Sequence, residues 1–257
     1  MHELMARAFH RLCLWLGRLL RAGRYSTTRI VHTRGAPAVR KRRAFYAPLL
    51  LRLGEPLMRV LRTGVRVLPQ PEWEERERLL YHRLYDASVR VQPNGELVLP
   101  WLPGETLAAL LEHREVGESV RRAAMRCAAV ALAELHRRGF THGDAMAENV
   151  MIDVETGAAR WFDFETAHDP ARPAEWRRAD DVRALLATCL LRTDGGNLDA
   201  TVGLVVDSYG DERITGLLAA AFVSDRAPLV FHLGQAPLSY RRYREAGRSL
   251  ARRVRRP

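Results

Sequence analysis

The stretch Thr141–Asp169, THGDAMAENVMIDVETGAARWFDFETAHD, sets Asp144, Asn149 and Asp163 at wide, orderly intervals with apolar, strand-like residues between them. Asp144 and Asn149 follow a helical pattern ending in LAELHRRGF, so both fall on a loop. VMI and RWFDF read as two short strands joined at Glu155-Thr156-Gly157, a hairpin that carries Asp163 back beside Asn149. One carboxylate then faces a substrate hydroxyl, while an amide and a second carboxylate converge on a hard cation. Phosphoryl transfer uses such a set, because it needs metal ions to bridge phosphate oxygens and a carboxylate to orient the attacking hydroxyl and take its proton. Magnesium takes a few oxygen ligands and keeps water, which suits Asn149 and Asp163.

Working outward, apolar periodicity predicts a helix over residues 3–22, with Met5, Phe9, Leu12, Leu16, Leu19 and Leu20 on one stripe and arginines on other faces. Two readings stay open for it: a helix docked on the body of the protein, or an interfacial helix on anionic lipid. From Arg24 to Arg43 the pattern is strand-like, with a turn at Arg34-Gly35. PEWEERERLLYHRLY (71–85) is a helix with a proline start and an acidic first turn. SVRVQ, the Asn94-Gly95 turn signal and ELVLPWL follow. Helices are expected at Leu107–His113, at Ser119–Arg138 ending on Gly139, over RRADDVRALLATCLLR, around residues 198 to 223, and in the basic closing segment SYRRYREAGRSLARRVRRP.

The chain has 257 residues, of which 47% are hydrophobic and 28% charged, a globular composition with ample material for a core. Basic residues outnumber acidic ones 41 to 30, leaving +11 and favouring an anionic partner. Cys13, Cys127 and Cys189 are odd in number, widely spaced and set in apolar helical patterns, which suggests neither a disulfide framework nor a metal knuckle and fits a reducing compartment. No apolar run approaches the roughly 18 residues that span a bilayer, and the short LCLWLG between arginines argues against a cleaved signal peptide. Nucleic acid is disfavoured, since apart from Tyr240 and Tyr243 no stacking aromatics are interleaved with the arginines.

HGDAMAEN, followed fourteen residues after Asn149 by DFE, resembles the catalytic loop and metal-binding motif of the protein-kinase-like superfamily. The resemblance implies an α+β, two-lobed fold: an antiparallel-sheet N-lobe with one helix at 24–98, a hinge at 99–104 and a mainly helical C-lobe at 105–257, with 1–23 as a basic amphipathic helix. It makes Asp144 the catalytic base, Asn149 and Asp163 the magnesium ligands, and ATP the phosphoryl donor. Lys41, the one lysine among the 41 basic residues, matches the lysine that reaches the ATP phosphates from the third strand; a lone surface lysine is the other reading. Glu77 is its expected partner, because Leu80 and Leu84 then dock the helix inward, with Glu74 the alternative one turn earlier. LVLPWLPGETL resembles the hinge, where the backbone from Leu99 to Leu102, Trp101 included, would hydrogen-bond adenine. Val39 and Met151 match the apolar shelves above and below the purine, or are core residues. ADDVRALL resembles the helix whose buried aspartate, Asp181 or else Asp180, supports the catalytic loop by accepting backbone N–H bonds near His142.

The pattern departs from regulated protein kinases. RYSTTRIVHTRG offers a hydroxyl-rich turn where a glycine-rich phosphate loop is expected. Glu165 replaces the glycine of D-F-G, as a third metal ligand or an exposed loop acid, and His168 carries the same two readings, with the solvated loop residue preferred. Gly143 stands in place of an arginine, Met146 in place of a substrate-facing lysine, and only eighteen residues separate Asp163 from Asp181. With this short segment, HGD…N…DFE is most similar to the bacterial lipopolysaccharide-core sugar kinases, with aminoglycoside phosphotransferases and RIO-type kinases as relatives. That similarity implies ATP and magnesium as cofactors and a small-molecule or glycolipid hydroxyl as acceptor. It also implies a cytoplasmic protein, with a peripheral seat on the inner face of the plasma membrane as the option the basic helices open. A RIO-like protein kinase or ATPase, and a pseudokinase scaffold, are the competing readings.

Overall fold

The computed structural model describes residues 26–33, 35–47, 64–113, 115–193, 198–223 and 238–254, with 221–223 as backbone alone. The helix expected over 3–22 lies outside these residues, as does Cys13. The expected α+β class holds, with small antiparallel sheets and a helical majority.

β1 (Ser26–Thr33) and β2 (Ala36–Arg43) form a hairpin closed over Gly35 at φ 81°. With β4 (Arg90–Val91) and β5 (Leu97–Pro100) they build an antiparallel sheet in the order β1-β2-β5-β4. Lys41 is opposite Leu97 and Val39 opposite Leu99, so these four residues share one face. Lys41 lies on the second of the described strands. One expectation changes here. The hydroxyl-rich Ser26–Thr28 is part of β1, paired along its length with β2, and not a turn.

Across the shared face runs α1 (Gln70–Tyr85), started by a proline in its first turn and ended by Asp86 in the left-handed conformation, φ 48°. Its buried residues Trp73, Glu77, Leu80 and Tyr81 fall at helical spacing on one stripe. Just before it, β3 (Val65–Val67) pairs antiparallel with β9 (Thr166–His168), tying the entry to α1 to the chain that follows Asp163.

The remaining residues are mainly helical. β6 (Glu105–Thr106), β7 (Val150–Asp153) and β8 (Ala158–Trp161) form a small sheet. Asp153 closes the β7–β8 turn by accepting from the backbone N–H of Glu155 and Thr156 at 3.1 and 3.2 Å. α2 (Leu107–Glu112) is capped by the Thr106 hydroxyl, and α3 (Glu118–Arg137) leads into the Thr141 loop. α4 (Ala174–Arg192) is the hub: every residue from Ala179 to Leu190 is buried, which a surface helix with one apolar stripe never shows. α5 (Leu198–Tyr209), α6 (Glu212–Val223) and α7 (Tyr240–Val254) complete the described chain. No described helix is long and apolar enough to cross a membrane.

Gly104, where the chain passes from β5 into β6, has φ 108°, and a Cβ there would stand 2.1 Å from the Ile152 carbonyl oxygen. Only glycine lets this crossing pack on β7. Gly104→Ala is expected to cost more than about 2 kcal/mol in urea unfolding. Gly157→Ala, also at positive φ but with nothing within 4 Å, is expected to cost about 1 kcal/mol. Equal costs would show that the contact with β7 contributes nothing.

Candidate active site

The loop from Thr141 to Asn149 is held from below by α4. Asp181, fully buried, accepts from the backbone N–H of His142 at 2.7 Å and of Gly143 at 2.8 Å. The His136 Nε2 lies 3.0 Å from the same carboxylate and His168 Nε2 lies 3.8 Å away. Burial alone would raise the Asp181 pKa, but the neighbouring imidazoles and the hydrogen bonds outweigh it and hold it well below the usual carboxylate range. Further along, the backbone N–H of Ala147 donates to the Thr188 hydroxyl at 3.0 Å, again on α4. Of the two aspartates left open by the sequence, Asp181 carries the loop, and Asp180 pairs with His168 (3.2 Å) and Arg183.

His142 is buried and spends both ring nitrogens on backbone. Nε2–H donates to the Phe162 carbonyl at 2.9 Å, and Nδ1 accepts from the Asp144 N–H at 3.2 Å. That arrangement requires the neutral ring, and burial lowers its pKa to about 4. Gly143 has φ 86°, and a Cβ there would lie 3.1 Å from the backbone of Ala167 on β9. A side chain at this left-handed position would be strained and would crowd the β9 backbone laid against the loop. His168, read from sequence as a solvated loop residue, is instead buried, with Nδ1 3.0 Å from the Thr141 hydroxyl. The β3–β9 pairing, which brings His168 over α4, is what the sequence did not announce.

The β7–β8 hairpin puts Val150 opposite Trp161, and the Phe162 N–H donates to the Asn149 carbonyl at 3.0 Å. Asp163 follows one residue later, in the left-handed region at φ 68°. Asn149 donates its side-chain nitrogen to Asp144 twice, to the backbone carbonyl at 2.8 Å and to Oδ2 at 3.1 Å. Its amide oxygen remains, the atom a hard cation takes. Asp144 Oδ1 is buried and has no hydrogen-bond partner. Burial first, then the charges of Asp163 and Glu165, raise the Asp144 pKa well above the ordinary value.

Above the hairpin, Lys41 is only 4% exposed and faces three carboxylates. Its Nζ contacts Asp163 Oδ1, lies 3.3 Å from Glu165 and 4.0 Å from Glu77. Burial would lower its pKa, but the three anions hold it above the ordinary value. Glu77, the preferred partner from sequence, is fully buried, while Glu74 bonds to Gln70 at 2.6 Å. The shorter contacts of Glu77 go elsewhere: its Oε1 accepts from the Trp73 indole N–H and from the backbone N–H of Phe164, each at 3.1 Å. Burial, only partly offset by Lys41, raises its pKa to about 7. Glu165 is therefore no exposed loop acid.

Two residues of this cluster were missed from sequence. The Trp73 ring carries Lys41 at 5.2 Å and Arg43 at 4.8 Å from its centroid, and Arg43 has its Nε and one terminal nitrogen buried without a partner. A cation two residues beyond Lys41 on the same strand face was the available signal.

Of the residues assigned to adenine, Val39 and Leu99 share the face of Lys41, while Met151 belongs to the sheet of β6, β7 and β8. Val39 is half-buried opposite the buried Leu99, Met151 is half-buried on β7, and Trp101 stands beyond the end of β5, 37% exposed. Among the described residues no group of three or more His, Cys, Asp and Glu side chains gathers as a metal site. The hard oxygen donors at this point are the Asp163 carboxylate and the Asn149 amide, the types of ligand that magnesium would take.

Residues 103–197 match the model described as the lipopolysaccharide kinase (Kdo/WaaP) family. The matched segment contains Asp144, Asn149, Met151, Asp163 and Asp181, and leaves out Val39, Lys41, Glu77, Leu99 and Trp101. The mitogen-activated protein kinase kinase kinase mkh1 of Cytospora mali is 34% identical over 81 residues, 31% of this chain, and the match spans 4% of that relative's length. Among solved structures, a MAP kinase from Leishmania major aligns at 16% identity over 91% of this chain and 85% of its own, with a TM-score of 0.39.

A buried neutral His142 makes stability depend on pH. The unfolded chain takes up the proton near the ordinary value of 6.5 and the folded chain only near 4, so stability is full above that window and is lost as pH falls through it. Urea unfolding is expected to show a loss on the order of 3 kcal/mol over that range from this group. His142→Gln, which keeps one donor and one acceptor, is expected to flatten the slope. An unchanged slope would mean that the ring is not held neutral.

Proposed function

We propose that this chain is an ATP- and magnesium-dependent phosphotransferase that phosphorylates a hydroxyl of a sugar or lipid-linked glycan, with Asp144 as the base. The observation that carries the reading is the buried, unpartnered Oδ1 of Asp144, clamped by Asn149 and set beside the Asp163 and Lys41 cluster. A carboxylate whose second oxygen has no protein partner, and whose proton affinity is raised, suits accepting a proton from a substrate hydroxyl. In this reading Asn149 and Asp163 hold magnesium, which when bound bridges phosphate oxygens and draws off their charge. Lys41 receives the phosphates of ATP, and Glu77, through the Phe164 N–H, fixes the backbone that presents Asp163. In this reading Val39 and Leu99 on one side and Met151 on the other take the adenine, with the backbone from Leu99 to Leu102 bonding its edge.

The glycan acceptor is supported by the lipopolysaccharide kinase match and by the short chain between Asp163 and Asp181, which leaves little room to cradle a peptide. α7 turns Arg241, Arg248 and Arg252 outward while Tyr243, Ala246 and Leu250 are buried, and this supports a peripheral seat on an anionic membrane face.

Calorimetric titration of ATP with and without magnesium tests the proposal. Binding is expected to depend on magnesium and to be lost in Asp163→Asn. Asp144→Asn is expected to keep binding and to lose roughly 100- to 10,000-fold in turnover with a core-sugar acceptor. Full turnover in Asp144→Asn would overturn its role as base, and failure of the wild-type chain to bind ATP with magnesium would favour the scaffold reading.

A further inference from the structure

On the side of the helical part formed by α3, α5 and α7 lies an open pocket of about 580 Å³. Arg122, Arg126 and Val130 line it from α3, at positions i, i+4 and i+8 and therefore on one helix face. Among the described residues neither Arg122 nor Arg126 has a carboxylate or carbonyl partner, although two like charges one turn apart repel. Opposite them, Arg253 of α7 lies flat over Gly203 of α5, where a Cβ would stand 2.0 Å from its guanidinium. Arg253 is fixed by Asp207 at 3.1 and 3.3 Å and by the Asp199 carbonyl at 3.4 Å, yet its Nε is buried without a partner. Three guanidinium groups thus share the pocket with one carboxylate, Asp207, which Arg253 already neutralises.

We propose that this pocket binds a phosphate monoester, with Arg122 and Arg126 gripping the phosphate oxygens and Arg253 closing the opposite wall. Planar guanidinium forks match phosphate geometry, and charge-assisted bonds of this kind are the strong ones. The volume leaves room for the group that carries the phosphate, against the exposed Val130. Arg126 stands about 16 Å along α3 from the helix end that feeds the Asp144 loop, so the pocket is separate from the site described above and does not depend on its chemistry. A lipid headgroup and a free phosphorylated metabolite present the same chemistry here.

The test uses the full chain, inorganic phosphate against chloride at matched ionic strength, and vesicles of phosphatidylcholine with or without phosphatidic acid. Wild type is expected to gain thermal stability with phosphate, and Arg122→Ser/Arg126→Ser to bind it roughly tenfold or more weakly. Arg122→Lys/Arg126→Lys is expected to recover part of the response. Retention on phosphatidic acid vesicles that the serine pair abolishes supports the headgroup source, and a phosphate response without such retention supports a soluble ester. A phosphate response and vesicle retention that are the same in the serine pair and wild type would overturn the proposal.

Discussion

The buried charge of Asp181 is the constraint on which the rest of the described structure leans. A carboxylate taken out of water on an all-buried helix is costly unless its oxygens are fully engaged. Here the cost is met by two backbone N–H groups and His136, and those two N–H groups belong to the residues immediately before Asp144. The need to satisfy one anion therefore dictates the path of the loop. His142 continues the chain of dependence, since its ring bonds the loop to the end of β8, and β8 delivers Asp163.

The second organising feature is electrostatic. One lysine serves three carboxylates, and the helix acid Glu77 makes its hydrogen bonds to Trp73 and to the backbone of Phe164. Glu77 thereby acts on the backbone beside Asp163 as well as on Lys41. Trp73 supports both sides, giving an N–H to the acid and a π-face to the two cations of β2.

Much of the site was legible because its parts are close in sequence. Asp144, Asn149 and Asp163 lie on one loop and one hairpin, whose strands and turn have local signatures, and Asp181 sits on a strongly apolar helix. Glu77 was legible from helical phase, and Lys41 from being the one lysine in the chain. What was missed depends on contacts between distant segments. The fate of His168 and the need for glycine at 143 follow from the three-residue β3–β9 pairing, too short to leave a periodic signal. Arg43 was indistinguishable from the other arginines of an arginine-rich chain until Trp73 was seen beneath it.

Hydrogen exchange at the His142 and Gly143 amides, compared between wild type and Asp181→Asn, tests the central dependence most directly. If Asp181 holds the loop, both amides exchange in wild type only through large-scale opening, and in the variant they lose protection while those of α4 keep theirs. Protection of the two amides that survives the substitution would contradict the account.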